Sequence, residues 1–293
     1  SIQQNKIPNA YIFTGIRGVG KTTTARIVAK MLNCTVFDKN NNPDLINCEQ
    51  AKAITEDRHP DVIEIDAASN TSVENAREII ENVKYNPVLG KYKVYIVDEV
   101  HMLSKSAFNA LLKTLEEPPP HSKFIFATTE ISKVPITILS RCQRFDLRRV
   151  EKKTLSDFLK SIAKKEDITI SNEALNLIVK ASDGSVRDSL SILDQANIFK
   201  SQKEIQVEEI VNMLGFAKQS DLYELSKCIF DNNLSKLISM LDDMYQRGSE
   251  TSKIIEDMMN IINWSCKLKI NQELIEDEFL TEEDKNFASY VIQ

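Results

Sequence analysis

Eight consecutive residues have the types and spacing of a phosphate-binding loop. The run Gly15–Thr22 reads GIRGVGKT and matches the pattern G-x-x-x-x-G-K-[S/T] in full. Glycines let backbone N–H groups turn toward phosphate oxygens, the lysine supplies a cation, and the final hydroxyl is a Mg²⁺ ligand. The run lies between a predicted strand and a predicted helix, the context in which such a loop binds a nucleoside triphosphate. The predicted nucleotide contacts are Gly15, Gly18, Val19, Gly20, Lys21, Thr22 and Thr23.

Two acidic residues after a later apolar run supply the other groups that hydrolysis requires. Asp98 and Glu99 directly follow the run VYIV at residues 94–97. The first carboxylate can orient the Mg²⁺ shell together with Thr22, and the second can act as a general base for water. Two carboxylates that only cap a strand are the alternative. His101 completes an Asp-Glu-Val-His run, and we expect it to support the site rather than to act directly.

Apolar runs that alternate with helical patterns predict an α/β fold in the first half of the chain, because strands joined by helices form parallel sheets. The predicted strands are residues 10–14, 62–65, 94–97, 124–127 and 145–147. The predicted helices of this half are residues 22–32, 106–115 and a helix to about 83 that opens with a capping box at Thr71 and Glu74. In the second half of the chain, hydrophobic spacing predicts helices at residues 154–164, 171–181, 186–199, 206–214, 222–230, 234–245 and 254–270.

Composition and charge narrow the class of protein. The 293 residues are 42% hydrophobic and 27% charged, with a net charge of -6, as in a globular protein. The negative charge argues against a nucleic-acid groove as the main surface. No apolar run approaches the roughly 18 residues of a membrane span. The five scattered cysteines are typical of free thiols in a reducing compartment, so we predict a cytoplasmic protein with no membrane partner.

Several motifs, in order, resemble the AAA+ ATPases and, within them, the clamp loaders. They are Asp98–Leu103 with Ala107–Pro118, the Ser-Arg-Cys run at 140–142, and Gly184–Leu190. With the segments 10–15 and 65–69, they are similar to the tau/gamma subunits of bacterial DNA polymerase III. The resemblance implies a AAA+ P-loop parallel sheet flanked by helices, a small helical lid and a C-terminal helical collar. We place these domains at residues 1–150, 151–216 and 217–293.

The resemblance gives three further residues a role at the nucleotide. Arg141 resembles an arginine finger, which would reach the γ-phosphate of a neighbouring subunit in trans. Thr129 aligns with the sensor 1 position, and Thr128 is the competing choice. Arg187 resembles sensor 2, which would couple nucleotide to a hinge closure of the lid. The alternatives are that Arg141 is an ordinary surface arginine, that the threonine is an ordinary strand residue, and that Arg187 is an ordinary arginine on a helix face. The predicted catalytic residues are Lys21, Asp98, Glu99, Thr129, Arg141 and Arg187, with Thr22 and Asp98 as Mg²⁺ ligands.

The sequence departs from the clamp-loader pattern in two places. The resemblance implies a zinc module of four cysteines between the first helix and the second strand. Only Cys34 and Cys48 are present there, and Leu45 and Ala51 stand where further cysteines are expected. Two thiolates cannot fill a tetrahedral zinc site, so we favour a metal-free loop. Clamp loaders also carry an adenine-binding segment before the strand at Ala10, and we expect the chain to be truncated at its N-terminus.

The resemblance implies an ATP-binding and ATP-hydrolysing clamp-loader subunit for DNA replication, with no polymerase chemistry in this chain. Its expected partners are copies of itself, delta and delta-prime subunits, a sliding clamp and primer–template DNA. Helix starts such as Asp66–Glu74 would contact DNA phosphates in a salt-dependent way. The C-terminal helices would join subunits, and Trp264 suits that interface or a core equally well. Another AAA+ DNA-handling motor and an ATP-binding scaffold without hydrolysis are the alternative functions.

Overall fold

The computed structural model groups the chain into two compact units. It describes residues 7–38, 42–69, 79–199, 204–214, 219–246, 251–272, 275, 280 and 282–292. The first unit comprises Ser1–Val150 and Gly184–Arg187, and the second comprises Glu151–Asp183 and Asp188–Gln293. The division into three domains stays a prediction.

A five-stranded parallel sheet forms the centre of the first unit. Its strands are β1 (Ala10–Thr14), β2 (Val62–Asp66), β3 (Lys93–Asp98), β4 (Ser122–Thr128) and β5 (Gln143–Asp146), in the order β2-β3-β4-β1-β5. All neighbouring pairs are parallel. The five predicted strands are confirmed, although β5 begins at Gln143 rather than at Phe145. The order places the carboxyl ends of β1, β4 and β3 side by side, so the loops that follow them meet at one edge.

Helices surround this sheet in the first unit. They are Lys21–Asn33, Glu49–Thr55, Lys105–Glu116 and Ile136–Leu139, with 3₁₀ turns at Val100–Met102 and Ile131–Lys133. Residues 79–83 are also helical, whereas the predicted capping box at Thr71 and Glu74 lies outside the described residues. The helix Glu49–Thr55 is absent from the predictions, because seven residues without a side-chain cap leave too little periodic pattern to recognise.

Apolar clusters on both faces of the sheet explain why its central strands β1, β3 and β4 contain continuous apolar runs. On one face, Tyr95 and Phe126 pack in a cluster with Leu111 of the helix Lys105–Glu116. On the other face, Ile96 packs in a cluster with Ala25 of the helix Lys21–Asn33. Each large apolar side chain buried in this way stabilises the fold by about 1.5–3 kcal/mol. This packing fixes the start of the helix Lys21–Asn33 at the carboxyl end of β1.

The described residues of the second unit are mainly helical, as predicted. The helices are Lys152–Lys165, Asn172–Ala181, Val186–Phe199, Val207–Leu214, Gln219–Phe230, Leu234–Gln246, Thr251–Ile270 and Glu282–Ile292, of which the third begins in the first unit. Trp264 stacks on Phe287 with 6.3 Å between ring centroids, so it packs on the core of this unit. In the part of the chain that the structure describes, no helix combines the length and apolarity that crossing a bilayer needs.

Candidate functional site

The loop between β1 and the helix Lys21–Asn33 has a positive φ, which strongly favours glycine, at Gly15, Gly18 and Gly20. Gly18 and Gly20 have φ angles of 74° and 98°, in the left-handed region. A Cβ on Gly18 would also lie 2.1 Å from Ser185 Oγ. The loop is therefore held against the segment Gly184–Arg187 with no room for a side chain. Among the other predicted contacts, Val19 is half-buried in the loop and Thr23 is exposed in the first helical turn.

Lys21 lies inside this loop and is only 5% exposed. Its Nζ donates hydrogen bonds to the carbonyl oxygens of Gly15 and Ile16, at 3.1 and 2.9 Å. Burial lowers the pKa of Lys21, and the nearby charges of Glu99 and Asp98 oppose that shift. The amine is thus held by two neutral carbonyl groups, which an anionic phosphate can replace with a stronger, charge-assisted bond.

Thr22 and Asp98 form the geometry expected of a Mg²⁺ site. The hydroxyl of Thr22 donates to Asp98 Oδ2 at 2.5 Å, although 76 positions separate the two residues. The other carboxylate oxygen accepts the backbone N–H of Glu99 at 2.9 Å. A hydroxyl and a carboxylate side by side at a phosphate loop are the oxygen ligands that Mg²⁺ uses with phosphates, so these residues fit the ion.

Glu99 is held by Thr129, the predicted sensor 1 residue. The backbone N–H and the hydroxyl of Thr129 donate to Glu99 Oε2, at 3.2 and 3.0 Å. Thr128, the competing choice, is fully buried, and its Oγ lies 3.0 Å from His101 Nδ1. The structure therefore brings Thr129 to the predicted base and Thr128 to the histidine beside it. Glu99 itself has a φ of 46°, a left-handed conformation that is uncommon for a glutamate.

Arg187 lies at the phosphate loop in the first unit. Its backbone N–H donates to the carbonyl of Gly18 at 3.2 Å. Its positive charge also contributes to the lowered pKa of Lys21, behind the larger effect of burial. A second positive charge near the loop, beside the Lys21 ammonium, is favourable for an anionic ligand.

Arg141 is not brought to the phosphate loop of its own chain. Its guanidinium donates to the carbonyl of Thr137 at 2.7 Å and to Glu116 Oε1 at 2.5 Å. Within the described residues, its remaining hydrogen bond goes to Ser140, next to it in sequence. Arg141, Glu116 and Ser140 line a surface hollow together with Pro118.

Cys34 and Cys48 are buried together in a small cluster with Ala51 and Leu45. Leu45 and Ala51 thus fill the two places where further cysteines are expected. Burial would raise the pKa of Cys48, but amide N–H groups, that of Ala51 foremost, outweigh burial and lower it. Among the described residues, no group of three or more His, Cys, Asp or Glu side chains could hold a metal ion. Zinc does not fit this cluster, because two thiols leave half of a tetrahedral site without ligands.

The sequence patterns missed two residues that the site uses. Ser185 packs against Gly18, and Glu116 pairs with Arg141. Both lie inside runs that carry the resemblance, Gly184–Leu190 and Ala107–Pro118, but a serine and a glutamate are common residues whose individual role depends on distant partners.

Models of three protein families match successive parts of the chain. Residues 1–151 match the family described as "DNA polymerase III, delta subunit". Residues 154–202 match "DNA polymerase III clamp loader subunit, ATPase lid domain". Residues 205–290 match "DNA polymerase III subunits gamma and tau domain III".

Three curated relatives are more than one third identical to this chain over the aligned residues. DNA polymerase III subunit tau of Bacillus subtilis is 45% identical over 261 residues, which is 88% of this chain and 46% of that protein. DNA polymerase III subunit gamma of Buchnera aphidicola from Schizaphis graminum is 41% identical, over 90% of this chain and 72% of that protein. Its counterpart from Acyrthosiphon pisum is 36% identical, over 98% and 79%. The chain therefore spans less than half of the tau relative but most of the two gamma relatives.

Solved structures are similar in fold. The RuvB Holliday junction branch migration motor of Thermotoga maritima has a TM-score of 0.53 and 15% identity, covering 87% of this chain and 82% of that one. At this identity the likeness concerns the AAA+ fold alone.

Proposed function

Because this chain belongs to the gamma/tau family of DNA polymerase III clamp-loader subunits, we propose that it binds ATP with Mg²⁺ and hydrolyses it. The observation that carries this proposal is the meeting of Gly15–Thr22 with Asp98 and Glu99 at one edge of the sheet. A cradle of amide groups, a cation, a hydroxyl–carboxylate pair and a second carboxylate are the parts that phosphoryl transfer to water requires. A scaffold that only bound ATP would have no use for the second carboxylate.

ATP binding uses side chains whose hydrogen-bond partners in the free chain can be exchanged for the phosphates or the metal ion. The triphosphate lies along the amide groups of the loop, and Lys21 turns from the carbonyls of Gly15 and Ile16 to the β- and γ-phosphates. Thr22 and Asp98, whose side chains meet at the loop, would hold the metal ion. Mg²⁺ bound there neutralises charge on the phosphate oxygens.

Hydrolysis requires a base beside the γ-phosphate. Glu99 accepts a proton from the attacking water, and Thr129 orients either that carboxylate or the water. Arg187 acts as sensor 2 and adds positive charge at the γ-phosphate, in keeping with its position at Gly18. These roles are supported by the contacts of each residue and by the motifs that they share with clamp loaders.

Arg141 acts on ATP bound by a neighbouring subunit. Its partners Thr137 and Glu116 hold it at a surface hollow, where a second molecule can approach. A guanidinium supplied in trans stabilises the charge of the transition state and makes hydrolysis depend on assembly.

The whole protein loads a sliding clamp onto primer–template DNA in the cytoplasm, in an assembly with further copies of itself and with delta and delta-prime subunits. Residues 151–216 are the lid and residues 217–293 the collar that joins subunits. Apolar side chains on the helix Thr251–Ile270 support the collar role, since Ile255, Met259 and Ile262 are exposed at helical spacing.

ATP hydrolysis tests the proposal, with the chain alone and then with its assembly partners, clamp and primed DNA. We expect strong stimulation in the assembly and a loss of about 10³-fold in Arg141→Ala. Arg144→Ala, which removes an exposed arginine paired with Asp146, is the matched control and should hydrolyse ATP normally. Hydrolysis that is indifferent to clamp and DNA would contradict clamp loading and leave an ATPase of another kind.

A further inference from the structure

The contacts of Glu99 are concentrated on one of its two oxygens. Oε2 accepts both hydrogen bonds from Thr129 and lies 3.3 Å from Nδ1 of His101. Within the described residues, Oε1 has no hydrogen-bond partner. The carboxylate is therefore fixed through Oε2, while Oε1 is available to accept a proton. A glutamate has three side-chain torsions, so its position depends on the groups that hold that one oxygen.

His101 is itself fixed on both sides of its ring. The side chain is 6% exposed, Nδ1 lies 3.0 Å from the buried Thr128 Oγ, and Nε2 lies 3.5 Å from Glu130 Oε1. Glu130 in turn pairs with Lys133 at 2.8 Å, on the surface of the unit. A carboxylate can only accept a hydrogen bond, so the ring faces an acceptor at each nitrogen.

These contacts form one continuous path from the surface to the predicted base, through Lys133, Glu130, His101 and Glu99. We propose that His101 is a positioning residue that holds Glu99 in place for hydrolysis and links it to Glu130 at the surface. The proposal rests on the proposed function, because it takes Glu99 as the base. His101 does not touch the nucleotide; it acts through Glu99, and its loss should slow hydrolysis while leaving ATP binding intact.

Two substitutions separate the contacts of the ring. The amide nitrogen of an asparagine can take the place of Nδ1, so His101→Asn keeps a donor toward Glu99. The longer glutamine places its amide near Nε2, so His101→Gln keeps the contact with Glu130 and loses the one with Glu99. A merely structural role would make both variants equally harmful. Positioning of Glu99 instead predicts that asparagine rescues activity and glutamine does not.

Single-turnover ATP hydrolysis in the assembled loader, together with ATP affinity, measures this difference. We expect His101→Gln to lower the hydrolysis rate about 10-fold, with ATP affinity within about twofold, and His101→Asn to stay within about threefold of the parent rate. His121→Gln is the matched control, since His121 binds the carbonyl of Val83 at the far end of the sheet, and it should leave both quantities unchanged. Equal rates in the glutamine and asparagine variants would overturn the proposal.

A second readout does not depend on hydrolysis. The chain has three histidines, so the imidazole nitrogens are few enough to resolve by ¹⁵N NMR. We expect Glu99→Gln to shift the Nδ1 signal of His101 and Glu130→Gln to shift its Nε2 signal, with His59 and His121 unaffected. Unchanged His101 signals in Glu99→Gln would show that the ring does not contact the base in solution, and the proposal would fall.

The Glu99→Gln variant also separates this proposal from the one on which it rests. If Glu99→Gln hydrolyses ATP at the parent rate, Glu99 is not the base and the mechanism fails at that step. If Glu99→Gln is inactive while His101→Gln is fully active, the base stands and the positioning role of His101 alone is wrong.

Discussion

Lys21 and Lys123 lie at opposite ends of the strands of the same sheet. Lys21 is 5% exposed and Lys123 is 4% exposed. Lys21, at the carboxyl edge, binds two loop carbonyls that a phosphate can replace. Lys123, at the amino edge, donates to Asn9 Oδ1 at 2.6 Å and lies 5.2 Å from the centre of the Tyr92 ring. Burial lowers the pKa of both amines, yet only Lys21 has carboxylates that oppose the shift. One lysine is placed for an anionic ligand, and the other is part of the packed scaffold.

Asp98 and Asp61 show the same contrast between a group placed for a ligand and a group that belongs to the scaffold. Asp98 is half-buried and binds the hydroxyl of Thr22, a partner that a metal ion can separate from it. Asp61 is 1% exposed and accepts the backbone N–H groups of residues 88–90, each at 2.7 Å. Burial would raise the pKa of Asp61, but these amide donors and His59 outweigh it and lower the pKa below its ordinary value. Both oxygens of Asp61 are thus bound by backbone amides of one turn, whereas Asp98 has one oxygen bound by a side-chain hydroxyl that a ligand can displace.

The largest effect should come from the predicted base at the carboxyl edge. Glu99→Gln removes the proton acceptor and should slow ATP hydrolysis by about 10³-fold, with ATP affinity little changed. Single-turnover kinetics and nucleotide titration measure the two quantities. Glu64→Gln, which breaks an exposed pair with Arg26, is the matched control and should hydrolyse ATP normally. A Glu99→Gln variant that lost affinity and rate together would show that Glu99 contributes to binding rather than to the chemical step.

The two lysines give the next contrast. Lys21→Ala should weaken ATP binding about 100-fold, because it removes a charge-assisted bond to the phosphates, and should leave the free energy of unfolding nearly unchanged. Lys123→Met keeps the aliphatic stem against Tyr92 and removes the buried charge, so ATP binding should stay at the parent value. Calorimetric ATP titration and urea unfolding measure these effects. If Lys123→Met weakened ATP binding, the prediction that Lys21 binds ATP and Lys123 does not would be wrong.

Asp61 should contribute to the free energy of unfolding and not to nucleotide binding. Asp61→Asn leaves buried amide donors without a full acceptor and should lower the free energy of unfolding by about 3 kcal/mol at pH 7. Because the folded carboxyl has a lowered pKa, its stabilisation is complete above the ordinary value of about 3.9 and is lost as the pH falls through the folded value. The difference between parent and variant should therefore shrink below about pH 4.

Urea unfolding at several pH values measures that difference, and Asp98→Asn is the comparison from the other edge. Asp98→Asn should reduce the Mg²⁺ dependence of ATP binding with little loss of stability, since its carboxylate is half-buried. A constant difference between parent and Asp61→Asn from neutral to acid pH would exclude the carboxylate as the source of the stabilisation.

The smallest effect should come from metal chelation at the cysteine cluster. EDTA should not change the melting temperature of the parent chain, because Cys34 and Cys48 are packed with Leu45 and Ala51 rather than around an ion. The double substitution Leu45→Cys with Ala51→Cys restores four thiols and should create a zinc site that EDTA destabilises. Zinc content by atomic absorption and melting curves measure both. A melting temperature that falls when the parent is treated with EDTA would show that the cluster holds a metal.

Short-range patterns in the sequence determined the phosphate loop and the five strands. Gly15–Thr22 is contiguous, and β1, β3 and β4 contain short apolar runs, so a window of about ten residues contains the whole signal. The resemblance implied a zinc module, and the sequence showed that two of its four cysteines are missing, because only Cys34 and Cys48 occur in that stretch. The short helix Glu49–Thr55 could not be predicted from the sequence, because it has too few residues to show a helical period.

Only the tertiary structure decided which partner each polar side chain has. Glu99 is held by Thr129 rather than by Thr128, and Arg141 pairs with Glu116 away from the phosphate loop. These pairs are 30 and 25 positions apart, so they form only when segments distant in sequence pack together. A carboxylate in the sequence therefore indicates acceptor chemistry, but burial and the donors that surround it determine whether it builds a turn, like Asp61, or serves a ligand, like Asp98.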